Sequence, residues 1–157
     1  MNTSQADNQL HVRAATTSDI DFIVASNRAM AAETEDTGLD TQVLTRGITH
    51  LLRNPTEGFY LVAQSNHAPA GTLMVTFEWS DWRAGRFWWI QSVYVSPQYR
   101  RQGVYTALHA AVRERAGQDP LACGIRLYVE QENVTAQQTY QHLGMYRTHY
   151  QLFEELF

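Results

Sequence analysis

Residues 88–115 read Trp88-Trp89-Ile90-Gln91-Ser92-Val93-Tyr94-Val95, then Ser96-Pro97-Gln98-Tyr99-Arg100-Arg101-Gln102-Gly103-Val104-Tyr105, then Thr106-Ala107-Leu108-His109-Ala110-Ala111-Val112-Arg113-Glu114-Arg115. The first run is rich in β-branched and aromatic residues and reads as a strand. Pro97 ends it, because proline has no N–H to give to a ladder. Gly103 allows a sharp turn where the polar loop becomes a helix. Val104, Ala107, Leu108, Ala111 and Val112 then recur at helical spacing and form one apolar stripe. The first N–H groups of such a helix have no partner within it and point into the loop. Together with the helix dipole they favour an anion, most naturally a phosphate, and Arg100 and Arg101 lie beside them. The dipole contributes only about 0.3–1 kcal/mol, so charge-assisted hydrogen bonds must supply most of any affinity.

Working outward, residues 10–14 alternate and read as a short first strand. Thr16, Thr17, Ser18 and Asp19 are N-cap residues for a helix running to about Ala32. Residues 33–38 form a polar, acidic break. A second helix starts near Asp40, with Val43, Leu44, Ile48, Leu51 and Leu52 on its apolar stripe, and Asn54-Pro55 stops it. Strands are expected over 59–63, 72–79 and 87–95, joined by turns at 65–69 and 80–85 into an antiparallel meander. After the central helix and a loop at 117–120, a strand is expected over 125–130. A short helix over 136–143, closed by Gly144, follows, and then a last strand over 146–154. A strand–helix–strand unit within one sheet requires a right-handed parallel crossover, so the sheet is mixed. Residues 1–9 read as a polar tail and 10–157 as a single domain.

The chain has 157 residues, 44% of them hydrophobic, which suits one domain with a full core. Its net charge of −4 argues against a nucleic-acid partner. The N-terminal residues have neither a basic n-region nor an apolar h-region, so no signal peptide is expected. No apolar run approaches the ~18 residues of a membrane span, and no membrane partner is expected. The one cysteine, Cys123, rules out an internal disulfide and fits a reducing, cytoplasmic setting. The six histidines are scattered without ligand spacing, so no metal is expected.

Two segments carry a resemblance. Arg100-Arg101-Gln102-Gly103-Val104-Tyr105 is similar to the acyl-CoA loop of the GNAT superfamily of N-acyltransferases, Gln/Arg-x-x-Gly-x-Gly/Ala. Arg100 matches the first position and Gly103 the central glycine, while Tyr105 departs from the small last residue. Asn133-Val134-Thr135-Ala136-Gln137-Gln138-Thr139-Tyr140-Gln141-His142-Leu143-Gly144-Met145 resembles the family's Asn-x-x-Ala-x-x-x-Tyr-x-x-x-Gly-Phe/Met segment. Ala136 and Tyr140, four apart, share one helix face. The order of elements from Leu10 onward resembles the family as well.

The resemblance implies an α+β fold in α/β/α layers. Its sheet is mixed and mostly antiparallel, has a central splayed parallel pair and is flanked by helices. It implies acetyl-CoA as co-substrate. Arg100, Arg101, Gln102, Gly103, Val104, Tyr105 and Thr106 would hold the pyrophosphate. Val93, Tyr94 and Val95 would line the pantetheine arm, with backbone groups offered from Val93 and Val95 much as to an added strand. Asn133 would hydrogen-bond the cofactor and Tyr140 would protonate the departing thiolate. The activity implied is direct acetyl transfer to an amine, with a backbone N–H near Val93 polarising the thioester carbonyl.

An amine nucleophile must be neutral, so a proton acceptor is needed. Gln91 stands where several relatives have an acid, and an amide cannot be a base. The candidates are Glu78 on the preceding strand and Glu33 or Glu35 in the break after the first helix. Trp79, Trp82, Trp88, Trp89 and Tyr94 crowd the same region and with these acids suit a cationic amine with an apolar body, or a protein amine. Trp88 and Trp89 must point to opposite faces of the strand. A homodimer is compatible with the aromatic excess. The rival reading is a domain that binds acyl-CoA as a sensor without turnover.

Overall fold

The computed structural model describes residues 10–157, and the polar tail expected over 1–9 lies outside the described residues. One compact unit ends at Leu127, and Tyr128–Phe157 form a second.

In the first unit β1 (Leu10–Ala14) leads through a 3-10 turn at Thr17–Asp19 into α1 (Ile20–Thr34) and then α2 (Thr41–Arg53). There follow β2 (Gly58–Ser65), β3 (Ala68–Ser80), β4 (Gly85–Val95), α3 (Val104–Gln118) and β5 (Ala122–Arg126). The five strands form one sheet in the order β1-β2-β3-β4-β5. The first four pair antiparallel and β4 pairs with β5 in parallel, so the mixed sheet and its meander are as expected. Asn66 and His67 both have positive φ (48° and 68°), which gives the two-residue turn joining β2 to β3 the geometry of a tight hairpin.

Alternation along the strands makes two core layers. Leu61, Leu73, Val75, Trp88 and Ile90 are buried with Val104, Leu108 and Val112 of α3. Tyr60 and the partly buried Met74 pack instead with Ile23 and Val24 of α1 and Ile48 and Leu51 of α2. Helices therefore cover both faces. At the start of the chain Arg13 donates two bonds of 2.7 Å to Asp19, which also accepts from Thr16 N–H at 2.7 Å. The Arg13 guanidinium, more than any other group, holds the Asp19 carboxyl below the usual carboxylate range, and so ties β1 to the start of α1.

Three expectations are corrected. Val43, placed on the buried stripe of α2, is 56% exposed, while Ile48 and Leu51 carry the stripe. The helix starts near Asp40 as expected, and Asp40 caps it, accepting from Val43 N–H at 2.9 Å. The strand expected over 125–130 is β5, Ala122–Arg126, about a turn of chain earlier. Its small residues have little strand propensity, but the Phe87 ring lies so close that a Cβ on Gly124 would come within 2.7 Å of it. Packing, not propensity, sets that strand. Residues 146–154 are not a strand. In the second unit α4 (Val134–His142) ends in a Schellman motif, with Met145 N–H donating to Tyr140 C=O and Gly144 N–H to Gln141 C=O, both at 3.0 Å. Gly144 takes the left-handed φ of 89° that this ending requires.

Candidate functional site

β4 changes character along its length. Arg86, Phe87, Trp88 and Trp89 have partners on β5, at Ala122, Gly124, Ile125 and Arg126. Beyond Trp89 no strand of the described residues pairs with that side of β4, and from 90 to 95 its only strand partner among them is β3. Within this stretch Met74 faces Gln91 but Thr72 faces Tyr94, so Ser92 and Val93 together oppose one residue, Leu73. This is a β-bulge, with Ser92 at φ 50°. The extra residue resets the alternation, so that Val93 and Val95 pack on the same core as Trp88 and Ile90. The sequence reading missed the bulge. Its trace is the apolar spacing 88, 90, 93, 95, which breaks period two once. A parted strand and a bulge leave ladder groups available to a ligand's amides.

Just past this strand end lies the loop. A 3-10 turn at Pro97–Tyr99 leads to Arg100 in extended backbone, Arg101 at φ 60° and Gly103 at φ 79°. Nothing lies within 4 Å of a Cβ built on Gly103, so its requirement is conformational and the space above it is open. The first bond inside α3 runs from Ala107 N–H to Gly103 C=O, 2.9 Å. The N–H groups of Val104, Tyr105 and Thr106 therefore precede the helical ladder and turn toward the loop. Tyr105 is helical with negative φ, and its ring packs against the core. A large residue is tolerated here because it points inward, away from the loop's donors. Gly71 on β3, unremarked in the sequence, seats this junction: a Cβ there would come within 2.9 Å of Tyr94 C=O and of Val104 Cγ1.

The two arginines differ. Arg100 Nη2 donates to Glu33 at 2.7 Å and its Nε to Val95 C=O at 2.9 Å, while its guanidinium lies 5.6 Å from the Tyr94 ring centre. Arg101 is exposed and enters no ion pair among the described residues. Gln102 turns its amide back to Gln98 C=O, at 2.8 Å.

Two of the three candidate bases, Glu78 and Glu33, contact β4 on either side of the bulge. Glu33 meets β4 at its loop end, where Tyr94 Oη also donates to it at 3.4 Å. Burial, then the Glu33 charge, pushes the Tyr94 phenol upward. Glu35 is exposed at the end of α1. Glu78 accepts from Trp89 Nε1 at 2.8 Å and from Arg126 Nη1 at 2.6 Å, and Arg126 stacks 3.6 Å from the centre of the Phe87 ring. Gln91 donates to Thr76 on the same face. Trp88 and Trp89 do take opposite faces: Trp88 is buried against α3, and Trp89 reaches Glu78. Trp79 and Trp82 are exposed.

In the second unit the Asn133 side-chain oxygen caps α4, accepting from Ala136 N–H at 3.1 Å. That capping role is one the sequence reading did not give it. Tyr140 is partly buried, and burial raises its phenol pKa, so the hydroxyl keeps its proton through neutral pH. No helix of the described residues is long and apolar enough to cross a membrane, and no group of three His, Cys, Asp or Glu among them is placed to hold a metal ion.

A mixed sheet that parts beside a glycine-turned helix start defines the acyltransferase class of the GNAT fold. Residues 23–145 match the model of the Acetyltransferase (GNAT) family, and the chain belongs to that family. A possible acetyltransferase from Clostridium difficile 630 has a similar structure, with a TM-score of 0.87 and 40% identity over 94% of this chain and 97% of that one. A predicted acetyltransferase from Clostridium acetobutylicum, solved with acetyl-CoA, shares the fold with a TM-score of 0.77 and 21% identity, over 94% of this chain and 96% of that one. An aminoglycoside N-acetyltransferase in complex with CoA does so with a TM-score of 0.75 and 16% identity, over 94% and 95%. No curated protein matches the sequence.

Proposed function

We propose that the protein is an acetyl-CoA-dependent N-acetyltransferase that transfers the acetyl group directly to an amine. The observation that carries this is the juxtaposition in chain and sheet of the open, bulged end of β4 with the loop that starts α3. The N–H groups from Gly103 to Thr106, with a cationic side chain of the loop, would receive the pyrophosphate. The backbone around Val93–Val95 would bond the amide arm, and an N–H at the bulge would polarise the thioester carbonyl. The amine nitrogen attacks that carbon, the C–S bond breaks, and the thiolate takes a proton. Tyr140 is carried over from the family motif as the donor of that proton, and Asn133 as a cofactor-binding residue. Tyr140 stays protonated at neutral pH, as a donor must. The base is Glu78, Glu33 or Glu35, acting directly or through water. The acceptor is a cationic or aromatic amine, or a protein amine, which suits the acids with Trp89 and Tyr94 in contact with them. A cytoplasmic setting and a homodimer complete the reading.

A second reading rests on a specific observation. Glu78 and Glu33 are both ion-paired, and Gln91 cannot act as a base. Such a domain could hold acyl-CoA as a sensor without turnover. Calorimetric titration with acetyl-CoA tests the cofactor site. Binding near micromolar is expected, weakened about tenfold or more by Gly103→Val, which forces a β-branched residue to a φ only glycine takes easily. No binding up to millimolar overturns the proposal. Release of thiol with an amine panel then separates enzyme from sensor. In the enzyme, Tyr140→Phe lowers kcat about tenfold or more, and a fall under about twofold assigns the proton to solvent.

A further inference from the structure

Arg100 and Arg101 are neighbours in sequence, and both belong to the stretch that would receive the cofactor phosphates. Their surroundings give them different tasks. Arg100 has three engagements at once: Glu33 Oε2 at 2.7 Å, Val95 C=O at 2.9 Å, and the Tyr94 ring beneath its guanidinium. Glu33 in turn accepts from Tyr94 Oη at 3.4 Å. The groups so joined come from the end of α1, the end of β4 and the start of the loop. Glu33 also lies just before the break that separates α1 from α2, where Asp36 takes a φ of 49°. Arg101, by contrast, is exposed and enters no ion pair among the described residues. It sits at φ 60°, a conformation that costs a non-glycine residue stability and that persists where function or packing requires it.

We infer that the two arginines divide the work. Arg100 is a positioning residue that clasps the end of α1 to the end of β4, and Arg101 is the side chain that meets a phosphate of the bound nucleotide. To reach a phosphate, Arg100 would have to leave a carboxylate, a carbonyl and an aromatic face together. Arg101 has no such partners to leave. The clasp fixes where the acidic break begins relative to the bulge at Ser92, and thereby relates the two sides of the site. Its second half, the phosphate role of Arg101, rests on the acetyl-CoA reading above. The clasp itself does not.

The two halves are tested separately, on the full chain. CoA is titrated by calorimetry at low and high salt into Arg100→Ala, Arg101→Ala, Glu33→Gln and the unaltered protein. Arg101→Ala should weaken binding about tenfold, as loss of a charge-assisted hydrogen bond does, and should flatten its salt dependence. Arg100→Ala and Glu33→Gln should each change affinity less than about twofold. If instead Arg100→Ala weakens binding about tenfold while Glu33→Gln tightens it, Arg100 is the phosphate ligand, Glu33 competes for it, and the inference is overturned. An unchanged affinity in Arg101→Ala overturns it as well.

Hydrogen exchange of residues 33–40, measured without CoA, tests the clasp. Arg100→Ala and Glu33→Gln should each speed exchange there about threefold to fivefold, the range open to a half-exposed pair. The double variant should add nothing. Arg100→Lys, which keeps the charge opposite Glu33, should recover at least part of the protection. Exchange unchanged by both single variants, or additive in the double, refutes the clasp. If the unaltered protein fails to bind CoA, the acetyl-CoA reading and the role of Arg101 fall together, while the exchange data still decide the clasp.

Discussion

From residue 86 to residue 89, β4 is bonded on one side to β3 and on the other to β5; from 90 to 95 its only strand partner among the described residues is β3. The first half is clamped by side chains as well. The Trp88 ring meets Phe59 and Phe77 edge-on, both with centroids at 5.4 Å, and its Nε1 donates to Asp119 at 3.2 Å. Arg86 Nε donates to the same carboxylate at 2.9 Å, and its guanidinium lies 4.3 Å from the centre of the Phe77 ring. Asp119 thus closes the end of α3 onto the start of β4. The second half has a bulge, a positive φ at Ser92 and an open edge, and it leads into a loop with two more positive φ values. One strand therefore joins a region paired on both edges, with the Arg86, Trp88 and Trp89 side chains bonded to carboxylates, to a region where backbone groups are left for a ligand. Rigidity in the first half lets the second keep a costly shape.

Removing the clamp should produce the largest effect. Trp88→Ala deletes a buried aromatic at the centre of a three-ring cluster and should destabilise the fold by about 3–5 kcal/mol, read as a lowered urea midpoint. A loss below about 1 kcal/mol would mean that the cluster collapses around the gap and that the first half of β4 is not the rigid one.

Acid should act on the same half next. The Leu121 N–H, followed by Arg86 and Trp88, holds the Asp119 carboxyl below the usual carboxylate range. A depressed folded pKa contributes stability that is fully present above the unfolded value, about 3.9, and is lost as pH falls from there through the folded pKa. Urea midpoints should hold from pH 7 to about 5 and fall below about pH 4. Asp119→Asn should make that fall shallower without removing it, because Asp19, held low by Arg13, loses its contribution in the same window. An unchanged slope in Asp119→Asn would assign the acid sensitivity to Asp19 and to other carboxylates.

The difference between the halves also explains what could be read in the sequence. Strand, proline, glycine and helical stripe around Gly103 were legible, because each acts through local conformational preference: Gly103 does take φ 79° and Val104 does begin the helix. The mixed sheet followed from the strand–helix–strand order. The helix start near Asp40 and the closing role of Gly144 were legible for the same local reason. What was not legible depended on partners. Residues 146–154 have strand-forming residues, yet a strand exists only where an edge receives it, and here none is formed. β5 begins at Ala122 because Gly124 admits the Phe87 ring, a fact of packing between distant segments. The engagement of Arg100 with Glu33, far apart in sequence, could not be inferred from a basic pair in a loop. Nor could the pairing of Glu78 with Arg126. The bulge lies between these cases, for its mark in the apolar spacing was present but looked like ordinary alternation with a polar pair inserted.

The smallest expected effect bears on what holds that bulge. Ser92 sits at φ 50°, which costs a non-glycine residue about 1–2 kcal/mol. Ser92→Gly removes that cost but adds backbone freedom to the unfolded chain, worth about 0.5–1 kcal/mol in the other direction. The net should be a gain of about 0.5 kcal/mol, with CoA affinity unchanged. Such a result means that the bulge is set by Ile90, Val93 and Val95, whose burial on one core requires the extra residue whatever side chain occupies position 92. A loss of stability would instead show that the serine hydroxyl itself bonds the bulged backbone, as serine does in turns. The open half of β4 would then be specified locally, at Ser92, and not by the packing of its inward-facing valines.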